Sequence, residues 1–364
     1  MQEKGIISTN QYVWLLFTII TSFSTLQIVG RLIVHAGRDA WLSVIVAWFS
    51  DILLAVVYAY MGIRFPGQNM VQYSITILGG FWGRIVGLLF SFFYLISASG
   101  LISSICSLLT NQFFPRAPIS VFIIICYILI ASGVRKGLEA YARTSEILGP
   151  IYLLSFIIIF SMAIPIVNIR NLKPQFYRGV TPALTGAPFI LSFISICIIM
   201  GMFIPYCNKP KDGFKGKFIA ATVGSIMFMI LAVCGIGIFG AEQAGNMVST
   251  GLKLARAVSL GNVVQRVEAI WLMVSIAAGI MSSISLVWAF CLGISQIANI
   301  SSYKPLANSS VLLAFVISVT SFSTISDINE FSNYTFPFIA IFVESGLELF
   351  LFLMAIILKK RGSA

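Results

Sequence analysis

Long apolar runs separated by short polar gaps make up almost the whole sequence, and this pattern predicts its main structural elements. A helix needs about 20 apolar residues to cross the hydrocarbon core of a bilayer. Ten runs meet or approach this length and are numbered as spans 1 to 10. They are residues 11–33, 40–62, 84–110, 117–133, 146–167, 185–206, 218–240, 266–295, 308–325 and 334–358. The sequence therefore predicts an all-α polytopic membrane protein, with residues 1–364 in a single transmembrane domain.

The composition supports this prediction. Hydrophobic residues make up 59% of the chain and charged residues 10%, with a mean hydropathy of +0.98. Soluble domains contain about 25% charged residues, so a chain this poor in charge cannot cover a surface in water. A soluble enzyme, a disordered tail and a nucleic-acid-binding domain are excluded. The net charge of +11 does not change this, because nearly all of the basic residues lie in the gaps between apolar runs.

The basic residues in those gaps predict the orientation. If the N terminus is cytoplasmic, 14 of the 23 Lys and Arg lie on the cytoplasmic side, among them Lys209, Lys211, Lys215 and Lys217 before span 7. Lysine and arginine concentrate on the cytoplasmic side of membrane proteins. We therefore expect both termini in the cytoplasm.

Ten spans divide into two halves of five, and a unit with an odd number of spans takes the inverted topology when it is repeated. Many secondary transporters are built in this way. We expect a five-plus-five inverted repeat, with a first repeat over about residues 11–167 and a second over about residues 185–358.

The first helix of each half is predicted to be broken near the middle of the membrane. Span 1 carries the polar stretch Thr-Ser-Phe-Ser-Thr-Leu-Gln at residues 21–27, and span 6 carries Ser192 and Ser195 and ends on Pro205. Backbone groups freed by such a break are tolerated where they face a cavity. Two gaps, residues 67–82 and 242–265, have apolar residues at helical spacing and are predicted to form helices at the membrane surface.

Acidic residues inside apolar spans are the usual sites of proton or ion coupling. Asp51 lies within span 2, and Glu344 and Glu348 lie one helical turn apart in span 10, where they could share a proton or face a basic partner. The sequence contains no hydrolase, metalloprotease or nucleotide-binding motif. Its six cysteines have no metal-ligand spacing. It predicts no catalytic site, no cofactor and no bound metal.

Spans 3 and 8 are rich in small and hydroxyl-bearing residues, which allows two interpretations. Span 3 contains Tyr94, Ser97, Ala98, Ser99, Gly100, Ser103 and Ser104, and span 8 contains Gly279, Ser282, Ser283 and Ser285. Small residues at four-residue spacing bring helices into close contact, so packing accounts for most of them. A phenol in the middle of a span needs a polar partner, which leaves a cavity role for Tyr94 open.

Several local motifs are similar to those of the B subunits of endospore germinant receptors. They are Ala-Gly-Arg-Asp-Ala-Trp-Leu-Ser at residues 36–43, Arg-Phe-Pro at 64–66, Asn-Leu-Lys-Pro at 171–174, Pro205, and Gln-Arg-Val-Glu at 265–268. The resemblance runs over nearly the whole chain. It implies the five-plus-five fold of the amino acid–polyamine–organocation transporter superfamily.

The resemblance also implies a nutrient-sensing subunit in the spore inner membrane that works with an A subunit and a lipoprotein C subunit. In that family the ligand pocket lies among spans 1, 3, 6 and 8. The matching positions of this sequence are Ser22, Ser24 and Thr25 in span 1, Tyr94 and Ala98 in span 3, Ile196 in span 6 and Ser282 in span 8. Span 1 differs from amino-acid permeases, because Ser-Phe-Ser-Thr at residues 22–25 stands in place of their glycine-rich turn.

Two functions are consistent with the residues and the resemblance. The first is a germinant-receptor subunit that binds a small nutrient such as an amino acid and triggers germination. The second is a proton- or ion-coupled amino-acid permease. The family motifs and the small number of acids in the spans favour the receptor. Its expected partners are a small-molecule nutrient, the A and C subunits and the lipid bilayer, with no nucleic acid.

Overall fold

The computed structural model describes residues 3, 5–22, 24–177, 179–258 and 267–362. Within these residues all regular elements are helices, and the one strand-like feature is an isolated bridge between Ile7 and Cys207. The predicted all-α fold is confirmed.

The first half begins with a helix broken into α1 (Thr9–Thr21) and α2 (Ser24–Ala36). Span 2 is α3 (Ala40–Arg64), which is followed by the short helix α4 (Met70–Leu78). Spans 3, 4 and 5 are α5 (Gly80–Gln112), α6 (Ile119–Lys136) and α7 (Leu138–Ala163).

The second half repeats this order of elements. Its first helix is broken into α8 (Thr181–Ile194), a 3₁₀ segment (Ser195–Ile199) and α9 (Met200–Phe203), and span 7 is α10 (Gly213–Phe239). The short helices α11 (Ala241–Gly245) and α12 (Thr250–Ala257) precede α13 (Val267–Ile297) and α14 (Leu306–Ser321). Span 10 consists of α15 (Ile325–Glu330), α16 (Phe336–Ala340) and α17 (Glu348–Ile357), joined by the π-helical segments Phe331–Thr335 and Ile341–Leu347.

Seven helical stretches of the described residues are long and apolar enough to cross a membrane. One of them, the 41-residue stretch Ser24–Arg64, contains both the second part of span 1 and all of span 2. Thr181–Ile194 and Leu306–Ser321 are shorter apolar helices that belong to spans 6 and 9. Every predicted span thus has a helical counterpart, and the protein is a multi-pass membrane protein. The repeat boundaries near residues 11–167 and 185–358 stay a prediction.

The two gaps predicted to hold surface helices contain α4 and α12. Both helices pack against the bundle, since α4 buries Met70 and Tyr73 and α12 buries Leu252 and Leu254. Residues 259–266 lie outside the described residues, and with them the Gln-Arg pair that opens the motif at residues 265–268.

The bundle is apolar on its outer surface and carries hydroxyl groups inside. Phe49, Leu53 and Ile128 are among the large apolar side chains that face outward, where lipid surrounds the spans. Inside, hydroxyls donate to backbone carbonyls, as Ser99 does to Leu95 at 2.9 Å. A membrane interior offers these groups no water, so each needs a partner within the protein.

Small residues bring α5 close to its neighbours, as the packing interpretation predicts. A Cβ atom added at Gly83 would lie 2.4 Å from the backbone of Ile75 in α4. One added at Gly293 of α13 would lie 2.3 Å from the Ser91 hydroxyl. A larger residue at Gly83 would therefore require the helices to move, whereas one at Gly293 would require the Ser91 side chain to move.

The N-terminal segment is attached to the bundle by Glu3, which is 6% exposed. Its carboxylate accepts hydrogen bonds from the Gly5 and Leu138 amides at 2.8 and 3.2 Å. The Tyr303 hydroxyl and the Trp288 indole N–H donate to it at 2.6 and 3.2 Å. Burial raises the pKa of the Glu3 carboxyl, but these hydrogen bonds together outweigh it and hold the pKa below its ordinary value. The ionised carboxylate thus stabilises the end of the bundle that carries both termini.

Glu3→Gln is expected to destabilise the folded protein by about 1–3 kcal/mol at neutral pH, because an amide cannot accept from all four donors. The folded-state pKa of Glu3 lies below the unfolded value of about 4.3. Its contribution is therefore complete above that value and is lost as the pH falls through the folded-state pKa. Melting temperatures of the variant and the unaltered protein should converge in acid.

The control for this prediction is Glu242→Gln, which replaces an exposed glutamate in α11 and should leave the melting temperature unchanged. A difference between Glu3→Gln and the unaltered protein that stays constant to the lowest pH tested would contradict the role assigned to the ionised carboxylate.

Candidate ligand-binding site

Span 1 is broken at Ser22, as the sequence predicts. α1 ends at Thr21, and Ser22 (φ −21°, ψ −115°) leaves the helical conformation before α2 starts at Ser24. The Tyr152 hydroxyl of α7 lies 3.1 Å from the Thr21 carbonyl oxygen and 3.0 Å from that of Ser22. The Thr25 hydroxyl lies 2.5 Å from the same phenol oxygen. Tyr152 thereby supplies the polar partner that the interrupted helix needs.

Span 6 is broken at Ser195, where α8 gives way to a 3₁₀ segment. Side chains from two other spans hold this break. The Ser195 hydroxyl donates to Asp51 of α3 at 3.0 Å, and the Lys217 ammonium group of α10 donates to the Ile194 carbonyl at 3.3 Å. The prediction of a broken first helix in each half is confirmed.

Asp51 and Lys217 form a fully buried ion pair, with 2.9 Å between the carboxylate oxygen and the ammonium nitrogen. The sequence pattern predicts Lys217 in a polar gap, and this prediction is wrong. α10 begins at Gly213, five residues before the apolar run, and buries Lys217 within its first turns. A lysine can lie inside a bundle when a carboxylate partner is present, and hydropathy does not detect the partner.

A cavity of about 60 Å³ lies between the two breaks. Its lining consists of Ser22, Ser24, Gln27, Ser97, Gly100, Ser104, Ser282 and Ser332 together with Ile19, Ile28, Leu101, Phe193, Ile196, Leu286, Phe331 and Phe336. A water molecule needs about 10–15 Å³, whereas small-molecule sites are about 300 Å³ or larger. The cavity is therefore too small for a ligand of amino-acid size, which requires the lining helices to move apart.

Ser282 connects α13 to α1 at the edge of this cavity. Its hydroxyl oxygen lies 3.0 Å from the Thr18 carbonyl oxygen of α1 and 2.9 Å from the Ala278 carbonyl oxygen, one turn earlier in α13. One hydroxyl has one proton to donate and two lone pairs to accept. The Ser282 oxygen can therefore accept a hydrogen bond from a ligand while its proton stays with a carbonyl.

Four of the seven positions predicted for the pocket line the cavity: Ser22, Ser24, Ile196 and Ser282. The other three are buried outside this lining. Thr25 is bonded to Tyr152 at the span 1 break, and the Tyr94 hydroxyl lies 2.7 Å from the sulfur atom of Met70 in α4.

Ala98 lies beside the stripe of α5 that faces the cavity. That stripe consists of Ser97, Gly100, Leu101 and Ser104, which follow one another at helical spacing. Ala98 is completely buried one residue away from it. In this arrangement Ala98 therefore packs within the helix bundle beside the cavity lining, and its contact with a ligand stays a prediction.

The structure adds candidate functional residues that the sequence did not predict. Phe331, Ser332 and Phe336 bring span 10 into the lining, although no predicted pocket position lay in that span. Gln27 could have been selected from the polar stretch that predicted the break. Tyr152 had no local signal, since it is one of 12 tyrosines and stands in an apolar run.

Comparison with known proteins agrees with the resemblance seen in the sequence. The model of a family described as spore germination protein matches residues 6–331. This chain belongs to that family. Spore germination protein YndE of Bacillus subtilis (strain 168) is 25% identical over 261 residues, which cover 71% of this chain and 72% of that protein. Spore germination protein KB of the same organism is 23% identical over 366 residues, which cover 99% of this chain and 97% of that protein.

Two solved structures have a similar fold. A Na⁺-coupled sialic acid symporter, in a substrate-bound outward-open state, aligns with a TM-score of 0.63 and 15% identity over 96% of this chain and 79% of its own. MhsT in complex with L-phenylalanine aligns with a TM-score of 0.63 and 14% identity over 95% of this chain and 98% of its own. At this identity the likeness shows the fold alone, and it confirms the predicted five-plus-five, LeuT-like architecture.

Proposed function

We propose that this chain is the nutrient-sensing membrane subunit of a spore germinant receptor. It binds a small nutrient such as an amino acid between the two helix breaks and catalyses no reaction. The observation that carries the proposal is a hydroxyl-lined cavity where two broken helices meet, in a chain of the spore germination family. Transporter folds bind their substrates at such breaks near the middle of the membrane.

The N-terminal end of α2 would bind the carboxylate of an amino acid. Ser24 is the first residue of α2 and lines the cavity. First-turn amides have no partner within their own helix, and the helix dipole favours negative charge at this end. The Ser282 oxygen would accept from the ammonium group, and Ile196 and Phe336 would contact the side chain. Thr25, Tyr94 and Ala98 would pack against the outer side of the lining residues and hold them in position.

Binding shifts the equilibrium between two arrangements of the bundle only to the extent that the nutrient binds one arrangement more tightly than the other. The cavity of about 60 Å³ must widen to admit an amino acid, so the bound arrangement differs from the one described above. In this proposal the A and C subunits of the receptor respond to that difference.

Ser282→Ala is expected to weaken nutrient binding about two- to twelvefold, since one hydrogen bond contributes about 0.5–1.5 kcal/mol. A thermal-shift screen of the purified protein against amino acids identifies the nutrient, and its titration compares the dissociation constants. Ser309→Ala, on an exposed position of α14, is the matched control and should bind normally. Unchanged affinity in both Ser282→Ala and Ser24→Ala, with normal folding, would exclude the cavity as the binding site.

A proton- or ion-coupled amino-acid permease is the second candidate, and the buried charges favour it. Asp51, Lys217, Glu344 and Glu348 are fully buried in the bundle, and ionisable groups inside a membrane mark ion and proton pathways. Uptake of labelled amino acids into proteoliposomes of this chain alone, under a pH or sodium gradient, separates the candidates. Concentrative uptake would establish the permease, and binding without uptake would support the receptor.

We further propose that the protein lies in the spore inner membrane with both termini in the cytoplasm. Lys215→Cys and Lys360→Cys, in a background without the native cysteines, should react only with reagent admitted to the cytoplasmic side. Both residues are exposed at the end of the bundle that carries the termini. Tyr177→Cys, at an 80% exposed position of the opposite end, should react from outside. The neighbouring Arg178 lies outside the described residues. Labelling of position 215 from outside sealed cells would invert the topology.

A further inference from the structure

A second group of buried polar side chains, separate from the cavity lining, surrounds the Asp51–Lys217 pair. It contains Glu344 and Glu348 of span 10 and the phenols of Tyr58, Tyr73 and Tyr94. Each of these side chains is at most 2% exposed. This group, called the charge cluster below, lies between the cavity and the end of the bundle that carries the termini.

Glu344 is the member of the charge cluster without a partner. Its side chain is fully buried, and neither carboxyl oxygen has a hydrogen-bond partner in the described part of the chain. It lies in the π-helical segment Ile341–Leu347, and the Tyr58 hydroxyl donates to its backbone carbonyl oxygen. π-helical turns within helices are often found at functional sites.

The charges of the cluster do not balance if every acid is ionised. Asp51 and Lys217 neutralise each other, and Glu348 accepts a hydrogen bond from the Tyr73 hydroxyl at 2.6 Å. Glu344 has neither a cation of its own nor a donor within the described residues. A buried carboxylate without either is strongly disfavoured, whereas the protonated, neutral carboxyl group is tolerated.

Titratable groups on four neighbouring helices and on its own span face Glu344. They are Lys217 on α10, Asp51 and Tyr58 on α3, Tyr94 on α5, and Glu348, with its partner Tyr73 on α4. Lys217 is the one positive group of this set, and it is bound to Asp51 and to the Ile194 carbonyl. The positive charge of its ammonium group would repel a metal cation bound at Glu344, whereas binding of a proton needs a single carboxyl oxygen.

The charge cluster is connected to the cavity through the break in span 6. Ile194 and Ser195 bond to Lys217 and Asp51, and the next residue, Ile196, lines the cavity. A movement of this break therefore displaces the ion pair and changes the electrostatic field at Glu344.

We propose that Glu344 is a proton-binding site, and that movement of the break in span 6 releases its proton. The O–H bond of the carboxyl group breaks, and the proton passes to water admitted from the end that carries the termini. The carboxylate left behind is stabilised by that water and by Lys217. This inference holds for a receptor or a permease, because it concerns the proton and not the ligand of the cavity.

Infrared spectroscopy of the purified protein in lipid nanodiscs tests the site with protons as the only ligand. At neutral pH the unaltered protein should show the carbonyl band of a buried, protonated carboxyl group, and ¹³C-labelled glutamate should shift it. Glu344→Gln should lose this band. Glu330→Gln, an exposed glutamate at the start of the same span, should keep it.

Three results would overturn the proton site. One is a missing band in the unaltered protein at neutral pH, which needs no variant to fold. Another is a band that Glu348→Gln removes and Glu344→Gln retains. The third is a band that sodium chloride abolishes at constant pH while choline chloride does not, which would indicate a metal-cation site.

Amide hydrogen exchange tests the coupling. After correction for the intrinsic effect of pH, exchange in residues 194–203 should differ between mildly acidic and mildly alkaline solution in the unaltered protein. In Glu344→Gln this difference should disappear, while in Glu330→Gln it should persist. An equal response to pH in the unaltered protein and in Glu344→Gln would refute the coupling.

Discussion

Lys217→Met is expected to lower the free energy of unfolding by about 3–5 kcal/mol, because it leaves the fully buried Asp51 without its cation. It also removes the donor to the Ile194 carbonyl at the break in span 6. Methionine is nearly as long as lysine, so little of the loss comes from packing. The melting temperature and the yield of folded protein in detergent measure the effect.

Two controls separate charge from other causes. Lys215→Met replaces an exposed lysine two residues earlier in α10 and should change neither quantity. Asp51→Asn combined with Lys217→Met removes both charges and leaves an acceptor for the Ser195 hydroxyl, so most of the stability should return. If this double variant is less stable than Lys217→Met, the unpaired charge is not the cause of the loss.

Tyr152→Phe is expected to destabilise the protein by about 1–3 kcal/mol, because it removes the phenol that hydrogen-bonds to buried polar groups at the span 1 break. The Thr21 carbonyl loses this donor, whereas the Ser22 carbonyl and the Thr25 hydroxyl lose Tyr152 but keep their mutual hydrogen bond at 3.2 Å. Nutrient binding should weaken as well, since Ser22 and Ser24 line the cavity at this break. Melting temperature and titration of the nutrient measure the two effects.

Tyr334→Phe is the control for this substitution, because it removes the hydroxyl of a tyrosine that is 68% exposed. It should leave both stability and binding unchanged. Equal melting temperatures for Tyr152→Phe and the unaltered protein would mean that the break in span 1 does not depend on the phenol.

The two substitutions act on different halves of the fold. Lys217→Met affects the break in span 6, whereas Tyr152→Phe affects the break in span 1. If the nutrient contacts both helices, as proposed, both variants should bind it more weakly. Weaker binding in Tyr152→Phe alone would place the main contacts on α2.

The spans and their breaks could be predicted from the sequence, because both depend on local properties of the chain. The length of an apolar run is measured against a bilayer of nearly constant thickness, so ten runs predicted ten helical spans. Polar residues 21–27 and the serines of span 6 marked the places where the backbone leaves the helix, and the structure has its breaks at Ser22 and Ser195.

The side chains that hold those breaks, and those that face the cavity, depend on how the helices pack and could not be predicted from the sequence. Tyr152 is 131 residues away from Thr21 in the chain, and Lys217 is buried because packing brings Asp51 to it. On α5 the choice between Ser97 and Ala98 depends on rotation of the helix about its axis. A soluble helix reveals that rotation through an apolar stripe, but a span that is apolar or small on every side does not. Neighbouring helices set it when the bundle packs, and that packing puts hydroxyls in the cavity and the charges beside it.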